Sequence, residues 1–214
     1  MKNKTKSIIL RILPFAKFFS IYRKIKNQYT ISSELNISET TQIGYPFQCS
    51  NPKNVYLEEY TRINSGCKII IHTGHFILKK YSALASGCTI ITGNHIPTVG
   101  IPHYFLGHSH HNDEEKDIII EEDVWCGANV TLLSGAHIGR GAVIGANSLV
   151  NKEVPPYAVV VGAPTHIIAS KFTLEQIIEH EKKLYSEQER LSYEYLSELF
   201  STYYKDKRSI GKNA

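Results

Sequence analysis

Residues 118–150, IIIEEDVWCGANVTLLSGAHIGRGAVIGANSLV, repeat at a step of six. Ile120, Cys126, Leu132, Ile138, Ile144 and Val150 are apolar and evenly spaced. Two residues before each stand Ile118, Val124, Val130, Ala136, Ala142 and Ser148, all small or β-branched. Glycine follows three of the anchors, at Gly127, Gly139 and Gly145. A helix repeats at about 3.6 residues and an alternating strand at every second one. A strict step of six with glycine after the anchor fits neither. It fits a short strand and a tight turn used over and over, which is a β-solenoid.

The physical reason is economy of core. Three hexads make one triangular coil of about 18 residues, whose aliphatic anchors point into a narrow prism and stack on those of the next coil. Glycine and asparagine suit corners that need positive φ. One coil cannot hide its own core, so several are needed. An earlier stretch keeps the same step. Leu57, Ile63 and Ile69 are six apart, the phase slips at His72-Thr-Gly-His75, and it resumes at Leu78, Leu84 and Ile90.

The segment DVWCGANVTLLSGAHIGRGAVIGANSLVNKEVPPYAVVVGAPTHII resembles the hexapeptide-repeat acyltransferases, and most of all the galactoside, maltose and bacterial-polysaccharide O-acetyltransferases. The resemblance covers residues 55–170 and implies a mainly β fold, a left-handed parallel β-helix. It implies acetyl-CoA as co-substrate, a carbohydrate acceptor and a homotrimer with active clefts between neighbouring solenoids.

The chain of 214 residues is long enough for that one domain and additions at both ends. Its 42% hydrophobic content is that of a soluble globular protein. No secretory leader is expected, since no small-residue cleavage site follows the N-terminal apolar patches, and no spanning helix is expected, since no apolar run is long enough. Of the four cysteines, Cys67, Cys88 and Cys126 fall at core positions and read as small hydrophobes; without a Cys-x-x-Cys pair, reduced thiols in a cytoplasmic protein are expected. No nucleic-acid partner is expected.

Residues 1–54 form the N-terminal addition. Residues 1–28 carry eight Lys or Arg and no acid, interleaved with Ile, Leu, Phe and Tyr. This basic amphipathic segment either attaches peripherally to an anionic membrane face or packs across the end of the solenoid or on a neighbouring subunit. Residues 29–54 read as an irregular lead-in or a first incomplete coil. Residues 93–117 break the repeat with a long excursion rich in His, Gly and Pro, and long loops on rigid scaffolds often carry function. Its acidic run, Asp113, Glu114 and Glu115, reads as solvated. Residues 158–161 read as the last strand. After it, residues 171–214 open on a capping box, Thr173 to Gln176, which predicts a helix of about 30 residues that packs on the solenoid or between subunits, or touches substrate. The last residues, from about Ser209, are expected to fray.

The resemblance assigns roles to particular side chains. His95, in TGNHIP where the solenoid gives way to the excursion, matches the general base. An unperturbed imidazole titrates near ~6.5 and so is basic at working pH. Asn64 follows the anchor Ile63 where other coils have glycine; it either holds the acceptor or the developing oxyanion, or is a turn asparagine. Trp125, the only tryptophan, falls on the outer wall, where it lines the acetyl-CoA cleft or packs against a subunit. Gly127, Ala128, Gly145 and Ala146 match the track of the pantetheine arm. Lys152 matches a lysine that meets the nucleotide phosphates. An arginine common near the end of the family's solenoid is Ala169 here, which leaves Lys171 or His166 to take its place.

His103, His108, His110 and His111 in the excursion raise the question of a metal. The fold hosts a zinc carbonic anhydrase, but its ligands come from the solenoid walls at a spacing this sequence lacks. No metal is expected, and the histidines are read as polar contacts to acceptor or water. The function expected is O-acetylation of a sugar hydroxyl of a capsule, lipopolysaccharide or exopolysaccharide. The alternatives are an antibiotic or amino-sugar acetyltransferase and, more remotely, a zinc-dependent lyase.

Overall fold

The computed structural model describes residues 18–22, 25–26 and 31–213. Most of the basic segment 1–28 lies outside the described residues; of its apolar side chains, Phe18, Phe19, Ile21, Tyr22 and Ile25 are exposed. No helix among the described residues is long and apolar enough to cross a membrane.

The chain winds through coils of three short strands. The first coil holds β1 (Asn36–Ile37), β2 (Gln42–Ile43) and β3 (Gln48–Cys49), so the lead-in is already solenoid. The second holds β4 (Val55–Leu57), β5 (Arg62–Ile63) and β6 (Lys68–Ile70). The third holds β7 (Phe76–Leu78), β8 (Ala83–Leu84) and β9 (Thr89–Ile91). The fourth, after the excursion and its helix α1 (His103–Ser109), holds β10 (Ile118–Ile120), β11 (Trp125–Cys126) and β12 (Thr131–Leu133). The fifth holds β13 (His137–Ile138), β14 (Val143–Ile144) and β15 (Leu149–Val150). Each strand pairs in parallel with its counterpart one coil away, which gives three flat faces. This is the left-handed parallel β-helix of the hexapeptide repeat.

The step-of-six reading holds at the level of single side chains. All six anchors from Ile120 to Val150 are fully buried, and the residues two positions before them are buried as well. Leu57, Ile63, Ile69, Leu78, Leu84 and Ile90 line the same prism. At one corner Asn129 and Asn147 take φ of 57°, and the amide of Asn129 donates to that of Asn147 at 3.3 Å. Asparagine tolerates this left-handed conformation better than most residues.

After the fifth coil, β16 (Ala158–Val161) adds in parallel to β14, and β17 (His166–Ser170) folds back antiparallel on β16. This reversal ends the solenoid. The capping box is present, with Gln176 N donating to Thr173 Oγ1 at 3.3 Å and Thr173 N to Gln176 Oε1 at 3.0 Å. The single helix of about 30 residues is not formed. Instead α2 (Leu174–Leu184) stops, a turn follows, and α3 (Tyr193–Leu199) begins on the N-cap Ser192. The cause is tertiary. The buried Glu181 carboxylate accepts from Tyr157 Oη at 2.6 Å, Arg140 Nη1 at 3.0 Å and the Leu191 backbone N–H at 3.2 Å. Arg140 also donates to the Glu189 carbonyl at 2.8 Å. Backbone groups that a continuous helix would pair internally find charged partners here, and hydrogen bonds to charged groups are the stronger ones. The tail does not fray at Ser209: Ile210 N and Gly211 N donate to the carbonyls of Ser170 and Lys171 at 3.2 and 2.7 Å.

Candidate active site

The site is built where β9 runs out. Glu115, on the returning arm of the excursion, accepts at Oε2 from the backbone N–H groups of His72, Thr73 and Gly74 at 3.1, 2.8 and 2.7 Å, and from Thr92 Oγ1 at 2.9 Å. The phase slip at 72–75 is thereby explained: its turn is the cradle for this carboxylate. Desolvation pushes the Glu115 carboxyl up, but these donors outweigh it and hold its pKa below the ordinary value. Gly93 is needed at the exit, since a Cβ there would stand 2.7 Å from Glu115 Oε1.

His95 follows two residues later. Its Nδ1 lies 3.0 Å from Asp113 Oδ2 and 3.3 Å from Oδ1. Nδ1 of His110, just beyond α1, meets the same Oδ2 at 2.9 Å. The Asp113 side chain is 13% exposed, while both imidazoles are about half exposed at 48%. Desolvation raises the Asp113 pKa, and the hydrogen bonds from His110 and His95 overcome that and set it below the ordinary carboxylate range. An ionised carboxylate only accepts, so His95 carries its proton at Nδ1 and presents a lone pair at Nε2. The two acids expected to be solvated are therefore engaged; Glu114 between them is exposed. A cleft of about 590 Å³ opens beside His95, walled by Asn51, Ile70, Ile91, Asn94 and Glu115.

Trp125 and Asn64 do not line this cleft. Trp125 stands on the face that carries β8, β11 and β14, in register between Ala83 and Val143, and is 45% exposed. Its small neighbours leave the indole standing proud of the wall. Asn64 is half-buried at the corner after β5, its backbone N–H on the Leu84 carbonyl. One chain therefore holds His95 on a different edge of the prism from these two. Gly127 and Gly145 have a structural reason to be small: a Cβ on Gly127 would come 2.6 Å from Ala146 N, and one on Gly145 2.7 Å from Val161 Cγ1. Ala146 is exposed and Ala128 half-buried along the same corner.

The three cationic candidates divide. Lys152 and His166 are exposed and share a second cleft, of about 930 Å³, with Lys205 and Lys207 from the C-terminal segment. Lys171 lies elsewhere, ion-paired to Asp123 at 2.6 Å beside His180. Asp113, Lys205 and Lys207 were not singled out from the sequence. The two lysines sit in a visible basic run, Lys205-Asp-Lys-Arg208, whereas Asp113 had no signal beyond its place in an acidic stretch. Burial pushes the Cys126 thiol up to about 12, and likewise Cys49 to about 11, so these two thiols stay protonated and unreactive.

Residues 117–152 match the bacterial transferase hexapeptide family, described as six repeats. A chloramphenicol acetyltransferase of Klebsiella aerogenes is 49% identical over 59 residues, 28% of this chain and 28% of that one. A putative lipopolysaccharide-biosynthesis O-acetyltransferase of Escherichia coli K12 is 46% identical over 55 residues, 26% of this chain and 28% of that one. The curated relatives are thus matched over little more than a quarter of their own length. Among solved structures, a hexapeptide-repeat-containing acetyltransferase of Vibrio cholerae, complexed with acetyl-coenzyme A, superposes with a TM-score of 0.58 at 26% identity, over 68% of this chain and 76% of that one. On its repeat, its coil and these alignments, the chain carries the hexapeptide repeat of the bacterial transferases and shares the fold of a hexapeptide-repeat-containing acetyltransferase.

Proposed function

We propose that this protein is an acetyl-CoA-dependent O-acetyltransferase that modifies a sugar hydroxyl of a bacterial surface polysaccharide. The observation that carries the reading is the imidazole of His95, held at Nδ1 by Asp113 in the wall of a cleft. His95 Nε2 takes the proton of the acceptor hydroxyl as its oxygen attacks the thioester carbonyl carbon. Asp113 stabilises the imidazolium that forms. The tetrahedral intermediate then collapses, the carbon–sulfur bond breaks, and the proton passes to the departing thiolate.

The remaining roles need a second copy. In a homotrimer, the proud face of Trp125 lines the cleft facing His95 of a neighbour, Asn64 steadies the acceptor or oxyanion, and the pantetheine arm follows Gly127, Ala128, Gly145 and Ala146. Lys152 and His166 meet the nucleotide end. Residues 1–28 bring the enzyme to the cytoplasmic membrane surface, where lipid-linked glycans are built. Flotation with anionic vesicles tests that point: the full chain floats and a chain lacking residues 1–28 does not, and equal flotation ends the membrane reading.

The acceptor class rests on the lipopolysaccharide relative. The chloramphenicol acetyltransferase relative supports a second reading, acetylation of an antibiotic hydroxyl. Acetyl transfer from acetyl-CoA is measured against bacterial polysaccharides, nucleotide sugars and chloramphenicol, with wild type and His95→Ala side by side. Transfer to a glycan that falls by roughly 10²-fold or more in the variant is the expected result. Transfer to chloramphenicol alone establishes the second reading, and equal rates in a folded His95→Ala remove His95 from the mechanism.

A further inference from the structure

Asp113 serves two imidazoles, and a base needs only one such partner. His110 is the surplus. It caps the C-terminus of α1 with φ of 50°, and His72 packs edge-on against its ring with centroids 4.8 Å apart. One ring nitrogen of His95, one of His110 and a carboxylate oxygen of Asp113 all lie within 4.8 Å of one another, and Nδ1 of each imidazole is the atom against Asp113. Two imidazole nitrogens and one carboxylate oxygen are a donor set for Zn²⁺ and its neighbours in the first row. Around one tetrahedral Zn²⁺, ligand atoms at about 2.1 Å stand about 3.4 Å from each other. Both carboxylate–imidazole pairs already approach within that spacing, at 3.0 and 2.9 Å. The two imidazoles close the rest by turning exposed side chains.

We propose that His95, His110 and Asp113 form an inhibitory site for a divalent transition ion such as Zn²⁺, which silences the base by reversing its tautomer. The inhibition rests on the reading of His95 as the base. Without metal, both imidazoles donate from Nδ1 to Asp113, and the free lone pair of His95 is on Nε2. An ion at Nδ1 takes the lone pair of that nitrogen, and the proton leaves Nδ1 and arrives on Nε2 through water. The ring stays neutral, no net proton is released, and nothing is oxidised or reduced. An Nε2 that carries hydrogen cannot take another proton from a hydroxyl. The ion is thus an inhibitor and not a cofactor.

The full chain, stripped with chelator, is titrated with Zn²⁺ by calorimetry as wild type, His110→Ala and Asp113→Asn, each checked for a native circular-dichroism spectrum. Ring ¹⁵N resonances of histidine report the tautomer of His95 before and after Zn²⁺. One ion per chain is expected. Affinity falls by more than about 10²-fold in each variant, and Nε2 of His95 moves to the protonated position in wild type alone. Absence of binding to folded wild type, undiminished binding to both variants, or binding that leaves the His95 tautomer unchanged overturns the proposal. These arms need no acceptor, so a protein that acetylates nothing would fail the proposed function and still decide the site. Where transfer is measurable, Zn²⁺ suppresses it in wild type, chelator restores it, and His110→Ala, relative to its own metal-free rate, resists. Equal Zn²⁺ sensitivity in that variant overturns inhibition through this site.

Discussion

Lys171 Nζ stands 2.6 Å from Asp123 Oδ2, and the same carboxylate oxygen meets His180 Nε2 at 3.0 Å. The charge of Lys171 is thus committed inside the chain, between the edge of the solenoid and α2. Lys152 makes no ion pair among the described residues and faces the cleft it shares with His166. Replacing each lysine by methionine separates the two roles. Lys171→Met lowers stability by about 1.5–3 kcal/mol, the range for a hydrogen bond to a charged group, and leaves KM for acetyl-CoA alone. Lys152→Met leaves the melting temperature alone and raises KM for acetyl-CoA about tenfold, as for loss of roughly 1.4 kcal/mol of binding. Melting curves and steady-state kinetics on both variants are the check, and the reverse pattern would move the phosphate contact to Lys171.

Asp113 touches no substrate in the proposed reaction; it positions His95. Asp113→Asn keeps the shape, but its amide can donate to the ring and so favour the wrong tautomer. The expected effect is a fall in kcat between about tenfold and 10²-fold, with KM for acetyl-CoA unchanged. Ring ¹⁵N shifts of His95 in the variant give a second readout, which a merely structural role for Asp113 would leave where it is.

The Glu115 clasp makes the excursion sensitive to acid. Its pKa in the folded protein is depressed below the unfolded value near about 4.3. A group of that kind contributes stability that is full above the unfolded pKa and is lost as pH falls through the folded one. Protection of the amides of residues 72–74, taken relative to intrinsic exchange at each pH, is therefore high at neutral pH and falls below about pH 4, ahead of protection in the buried coils. Glu115→Gln weakens protection there already at neutral pH and flattens the dependence on acid. Protection that does not change with pH in the wild type would mean the carboxylate is not what holds the turn.

The coils were legible because their cause is repeated. Each anchor from Ile120 to Val150 faces the same prism, so the pattern appears six times over in one short stretch. The break between α2 and α3 was not legible, since Leu174 to Tyr203 keeps helical spacing throughout. What interrupts it is Arg140, a residue of the fifth coil, reaching Glu181 and the Glu189 carbonyl. His95 stood out by its place at the end of a strand, whereas its partner lay 18 residues on in a loop with no period. Asp113 and Glu115 look alike in the sequence and differ only in what the fold sets opposite them, an imidazole pair for one and a row of backbone N–H groups for the other.

Because Glu115 fastens the returning arm to the turn at 72–74, the chain re-enters the solenoid at a point fixed by the body of the protein. Residues 96–112 form no strand of the three faces, so a longer, shorter or quite different stretch can be spliced between the same two posts without shifting any coil. The excursion is a cassette: it brings Asp113 and His110 to His95 and forms surface beside the cleft, while the scaffold that stacks the coils is indifferent to its contents. Under the proposed function, a lineage of such chains changes its acceptor by trading this one segment, and an engineer can do the same.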